Sequence, residues 1–166
     1  MKWRLVRRVR QNHAIEHGTI AVLLGRGKPT PLGGYSTARG FFIYGDVSTD
    51  DVVSAANQAL ERMRSGEKDL AVSPYCGTNM AVGALLSAAV VGLVMGRSRR
   101  RLGGLPMLAL GIGGSLWLRR PLGEAVQRRF TTLSEVAGVS IDGVRRIQLG
   151  RHTIHVVRTS RDAEEA

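Results

Sequence analysis

The sequence predicts an α+β protein: a small α/β cytoplasmic unit, a two-helix transmembrane hairpin and a short C-terminal β segment. Three observations predict it. Residues 3–72 alternate helix-type and strand-type patterns, residues 70–96 and 102–118 contain no charged side chain, and residues 139–157 alternate in strand fashion around turn residues. The boundaries fall at 1–72, 73–130 and 131–166. A length of 166 residues suits one compact domain with an appendage.

The first helix covers residues 3–24. Leu5, Val9, Ile20 and Leu24 recur at helical spacing with His13, Glu16 and His17 in line, and Gly25 stops the helix ahead of Gly27, Pro29 and Pro31. Arg4, Arg7, Arg8 and Arg10 crowd its first turns beside Trp3. That suits contact with anionic lipid headgroups, the plain alternative being a solvated basic face. A Gly/Pro-rich loop follows over 25–38. Residues 39–44, rich in aromatic and β-branched side chains, form a strand closed by Gly45-Asp46. Ser48 or Thr49 caps a second helix, with Asp50 and Asp51 favouring its dipole and Val52, Val53, Ala56, Leu60 and Met63 forming its apolar face. Gly66 ends it, and Leu70-Ala71-Val72 is a short strand.

From Ser73 the character changes. Residues 73–79 form a turn that opens the apolar run 80–96; the second run is 102–118. Each run of 17 residues makes about 25 Å of helix, the short end for crossing a bilayer, and flanking arginines can snorkel to help. Gly92 and Gly96 permit close helix approach. The link carries Arg97, Arg99, Arg100 and Arg101. Seven basic groups flank the other side (Arg62, Arg64, Lys68, Arg119, Arg120, Arg128, Arg129), so both termini are expected in the cytoplasm, at the plasma (inner) membrane. Residues 121–130 extend the second helix. Residues 139–141, 146–149 and 153–157 then form strands, with Gly150-Arg151 at a hairpin turn and a disordered tail from Asp162.

The net charge of +11 raises nucleic acid as a partner. The basic residues instead cluster at the ends of apolar segments, and aromatic residues make up only 5%, too few for base-stacking platforms. No nucleic-acid role is expected; the bilayer is the expected partner, with a protein partner or a second copy also open. One cysteine, Cys76, excludes an internal disulfide, and the basic N-terminus leads into no cleavable signal.

The chemistry concentrates in His13-Ala14-Ile15-Glu16-His17, an H-x-x-E-H arrangement on the first helix. Residues i, i+3 and i+4 share a helix face, so two imidazoles can share a zinc ion while the glutamate serves as general base. Two histidines and a glutamate sharing a polar face is the bland alternative. A third ligand is required. Glu67, Glu61, Cys76 and His155 are the candidates, Cys76 offering a soft donor beside the flexible Gly77.

Asn12-His13-Ala14-Ile15-Glu16-His17, Gly66-Glu67, Leu70-Ala71-Val72 and Cys76-Gly77-Thr78-Asn79 before an apolar hairpin resemble an uncharacterised family of small bacterial membrane proteins, a domain of unknown function. That resemblance covers most of the chain and implies no activity. The H-x-x-E-H motif alone resembles the pitrilysin-like (inverzincin) metallopeptidases. By that resemblance His13 and His17 are ligands, Glu16 the base, and Glu67 or Glu61 the third ligand; those enzymes are far larger and enclose a chamber. The expected function is a membrane-anchored, zinc-binding, hydrolase-like protein, peptidase-like if catalytic. The alternative is a non-catalytic membrane scaffold or assembly factor.

Overall fold

The structure is a computed structural model that describes residues 2–29, 31–97 and 105–162. The chain divides into two compact units, Met1–Ser73 with Phe130–Ala166, and Pro74–Arg129. Helices and an antiparallel sheet confirm the mixed α and β class.

In the first unit, α1 (Lys2–Gly25) and α2 (Thr49–Arg64) pack against a four-stranded antiparallel sheet. Its strands are β1 (Gly33–Thr37), β2 (Gly40–Tyr44), β3 (Val139–Leu149) and β4 (His152–Arg161), in the order β1-β2-β4-β3. The C-terminal strands are therefore no separate segment: β4 pairs with β2 and places C-terminal residues in the centre of the sheet. Alternation decides which face is buried. Thr153, His155, Val157 and Thr159 of β4 and Phe41 and Ile43 of β2 point inward, where Val157, Phe41 and Ile43 meet Ile15 and Leu23 of α1 and Val52, Ala56 and Leu60 of α2.

Several expectations need correction. The apolar stripe of α1 is Ala14, Ile15, Val22 and Leu23, not Leu5, Val9, Ile20 and Leu24; Leu5 is exposed and Ile20 only partly buried. Gly33–Thr37, expected as loop, is a strand. Leu70-Ala71-Val72 is not a strand: residues 68–71 form a 3-10 turn, with the Leu70 N–H bonded to the Glu67 carbonyl and the Val72 N–H to that of Asp69. The two strands expected over 139–149 are one strand with a bulge at Asp142, where the register slips between Ile141 and Gly143.

The second unit is a pair of long helices, α3 (Gly77–Arg97) and α4 (Leu105–Val126), followed by one π-helical turn. A Cβ on Gly83 would meet Arg119, one on Gly111 would meet Val90, and one on Gly123 would meet Asn79, so the helices run antiparallel. Away from that contact, Leu85, Leu93, Leu110 and Trp117 are exposed. Among the described residues one helical window, Gly77–Gly96, is long and apolar enough to cross a membrane. Most of the expected arginine-rich link, the start of the second apolar run and the last four residues of the tail lie outside the described residues.

Candidate metal centre

Helix α1 buries an unusual number of polar side chains, and several of them meet backbone carbonyls of other segments. Asn12 donates to the Thr37 carbonyl (2.7 Å), Gln11 to that of Glu135 (2.8 Å), and Arg10 to that of Thr132 (3.0 Å). These carbonyls belong to strand ends and irregular segments, whose polar groups need partners once buried. His13 and His17 do the same work: the Nδ1 atoms lie 3.0 Å from the Thr131 carbonyl and 2.9 Å from the Ala71 carbonyl.

A carbonyl can only accept, so each Nδ1 carries the proton and each Nε2 carries the lone pair. The rings sit edge to face with centroids 4.3 Å apart, as i, i+4 spacing dictates. Two adjacent imidazoles in the Nε2-basic tautomer, each oriented by a backbone carbonyl, match the way proteins prepare histidines as metal ligands. Donor type and tautomer both fit a zinc-class ion.

Glu16 meets β1. Its carboxylate is buried and accepts a 2.5 Å hydrogen bond from the Ser36 hydroxyl on β1. A Cβ on Gly34 would collide with that carboxylate, so glycine at 34 is what lets β1 pass close to the helix. Glu67 is exposed and held by Arg62 through two 3.0 Å contacts to Nε, and that hydrogen-bonded guanidinium keeps its carboxyl below the usual range. Glu61 is exposed on α2. His155 is buried in the sheet core opposite Ile43 and Arg146. In the second unit, Cys76 immediately precedes α3 as a buried cysteine, and its Sγ accepts from the Thr78 N–H at 3.4 Å. An N–H donated at the start of a helix stabilises charge on sulfur.

Sequence reasoning missed the network beside the histidines. Asn12 Oδ1 accepts from the Thr159 hydroxyl (2.9 Å) and from Arg161 (2.8 Å), and Arg161 also donates to Gln11 (3.2 Å) and to the Arg8 carbonyl (3.3 Å). The available signal was parity: Thr159 falls on the same strand face as Val157, an inward position that a hydroxyl occupies only with a partner.

The chain matches the model of a family described as a domain of unknown function, DUF6391, over residues 8–144. An uncharacterized protein of Picosynechococcus sp. is 44% identical over 93 residues, covering 51% of this chain and 45% of that protein. The match thus spans less than half of that relative's length. No solved structure matches the chain.

Proposed function

We propose that this chain, which belongs to the DUF6391 family of domains of unknown function, is a membrane-anchored protein that holds one zinc-class ion. His13 Nε2, His17 Nε2 and the Cys76 thiolate are the ligands we assign. The observation that carries the reading is the pair of backbone carbonyls, of Thr131 and Ala71, that set both neighbouring rings in one tautomer. Chain connectivity supports Cys76: it follows Ala71 by five residues, a tether of at most about 18 Å. Its sulfur also suits the ion better than Glu67, whose carboxylate is engaged by Arg62.

Three protein ligands leave one position open, the pattern of catalytic rather than structural zinc, and the ion would supply Lewis-acid polarisation there. The reaction class is then hydrolysis, peptidase-like by motif, with Glu16 as the general base. One observation favours the second reading, a non-catalytic metal-holding scaffold: the Glu16 carboxylate is already engaged by Ser36. Membrane anchorage rests on the uncharged Gly77–Gly96 helix and the exposed apolar side chains of α4, with anionic headgroups as further partners.

Elemental analysis of the detergent-purified chain tests metal binding. It should return about one ion per chain, falling to background in a His13→Ala/His17→Ala variant. A metal-free wild type, or an unchanged double variant, contradicts the reading. Incubation with a mixed peptide library separates the two classes. Metal-dependent cleavage lost in Glu16→Gln, with the ion retained, supports the hydrolase; bound ion without products supports the scaffold.

A further inference from the structure

A second feature of the first unit belongs to no part of the metal reading. β2 begins at Gly40, paired with Arg158, so β4 runs three residues beyond it, through Thr159, Ser160 and Arg161. The notch beside this overhang is a cavity of about 520 Å³ lined by Arg8 of α1, Arg39 of the β1–β2 turn, Arg158 and Arg161 of β4, and Asp142 at the β3 bulge. Four guanidinium groups thus face one carboxylate, and Asp142 is already engaged by the Ser160 hydroxyl.

Arg8, Arg39 and Arg158 make no ion pair among the described residues, and the Arg8 Nε–H is buried with no acceptor. A buried donor without an acceptor has a desolvation cost that a bound acceptor would remove. Arg161 is held in place by Asn12, Gln11 and Thr159, so its position is set before any ligand arrives. The φ of 144° at Gly40, where a Cβ would strike the Val157 carbonyl, likewise fixes the turn that carries Arg39.

We propose that this notch binds the phosphate group of a small phosphomonoester, free in solution or as a lipid headgroup. Guanidinium forks pair bidentately with phosphate oxygens, and several forks around one anion suit a dianion with three terminal oxygens better than a carboxylate. The cavity exceeds what inorganic phosphate fills, and no aromatic side chain lines it, so the organic portion is small and polar rather than a nucleobase.

Calorimetric titration of the full chain in phosphatidylcholine nanodiscs with glycerol 3-phosphate tests the soluble source. Native mass spectrometry of the detergent-solubilised chain with phosphatidic acid tests the lipid source. Binding of either probe, weakened about tenfold for each guanidinium removed in Arg39→Gln and Arg158→Gln, is the expected result. Both side chains are exposed, so the variants should fold, and their metal content should match wild type, which keeps this outcome separate from the metal site. Absence of binding to both probes, or full binding by the Arg39→Gln/Arg158→Gln variant, overturns the proposal.

Discussion

Neither ring nitrogen of His155 has a hydrogen-bond partner among the described residues, although the side chain is fully buried between Ile43 of β2 and Arg146 of β3. Burial first, and the nearby Arg146 charge second, push its pKa below the ordinary histidine value. Below about pH 6.5 the unfolded chain takes up a proton that the folded chain refuses. Stability should therefore be full above that pH and fall as pH drops toward the lower folded value. Asp51, held low by Lys28 and Ser48, and Glu67, held low by Arg62, act in a separate, more acidic window: their contribution is lost as pH falls through their lowered values. Thermal unfolding of wild type and His155→Leu between pH 5 and 8 checks the assignment. The leucine variant should be at least as stable at neutral pH, gaining about 1 kcal/mol, and should lose the slope below about pH 6.5. A slope that persists would place the titrating group elsewhere. Asn12 is the opposite case, buried with its side-chain groups satisfied. Asn12→Ala strands the Thr37 carbonyl and part of Arg161, and chemical denaturation should show a loss of about 3 kcal/mol. Asn57→Ala, on the exposed face of α2, should change stability by less than about 0.5 kcal/mol.

Elements differ in how far local chemistry dictates them. α2 was the most legible: the Ser48 side chain accepts from the Asp51 N–H, Asp50 and Asp51 occupy the first turn, and Val52, Ala56, Leu60 and Met63 are buried at helical spacing, while Val53, expected on the same face, is only partly buried. α1 was legible as a helix but not in its buried face, because Gln11, Asn12, Glu16 and His17 are buried for the carbonyls and hydroxyls they meet, not for hydrophobicity. Gly33–Thr37 contains two glycines and no apolar alternation, so its strand state comes from pairing with β2 rather than from propensity. The pairing of α3 with α4 gives a direct test. A Cβ built on Gly111 lies 3.4 Å from the Val90 Cβ, close to the separation a disulfide spans. In a Cys76→Ser background, V90C/G111C should cross-link readily under mild oxidation. V90C/L110C, which places the second thiol on an exposed position, should not. Equal cross-linking of the two pairs would contradict the antiparallel register.

At the scale of the whole molecule, the fold class could be read from the sequence, whereas the assembly of the sheet could not. Period-two alternation marks β2 and β4 as strands, yet nothing in either names a partner more than a hundred residues away. The donors His13 and His17 were legible from i, i+4 spacing. Their tautomers were not, since these depend on carbonyls of Thr131 and Ala71 that the chain brings back from distant segments. The membrane reading predicts that reporters fused to the N- and C-terminus both read cytoplasm; termini on opposite faces would remove the two-span hairpin. The claim at the centre of the account is a metal held by two imidazoles and one thiolate. X-ray absorption at the zinc edge of the purified, zinc-loaded chain measures that ligand set. Two nitrogen scatterers at about 2.0 Å and one sulfur at about 2.3 Å are expected, with the sulfur shell lost in Cys76→Ser. A spectrum of oxygen and nitrogen ligands alone, unchanged in Cys76→Ser, would contradict it.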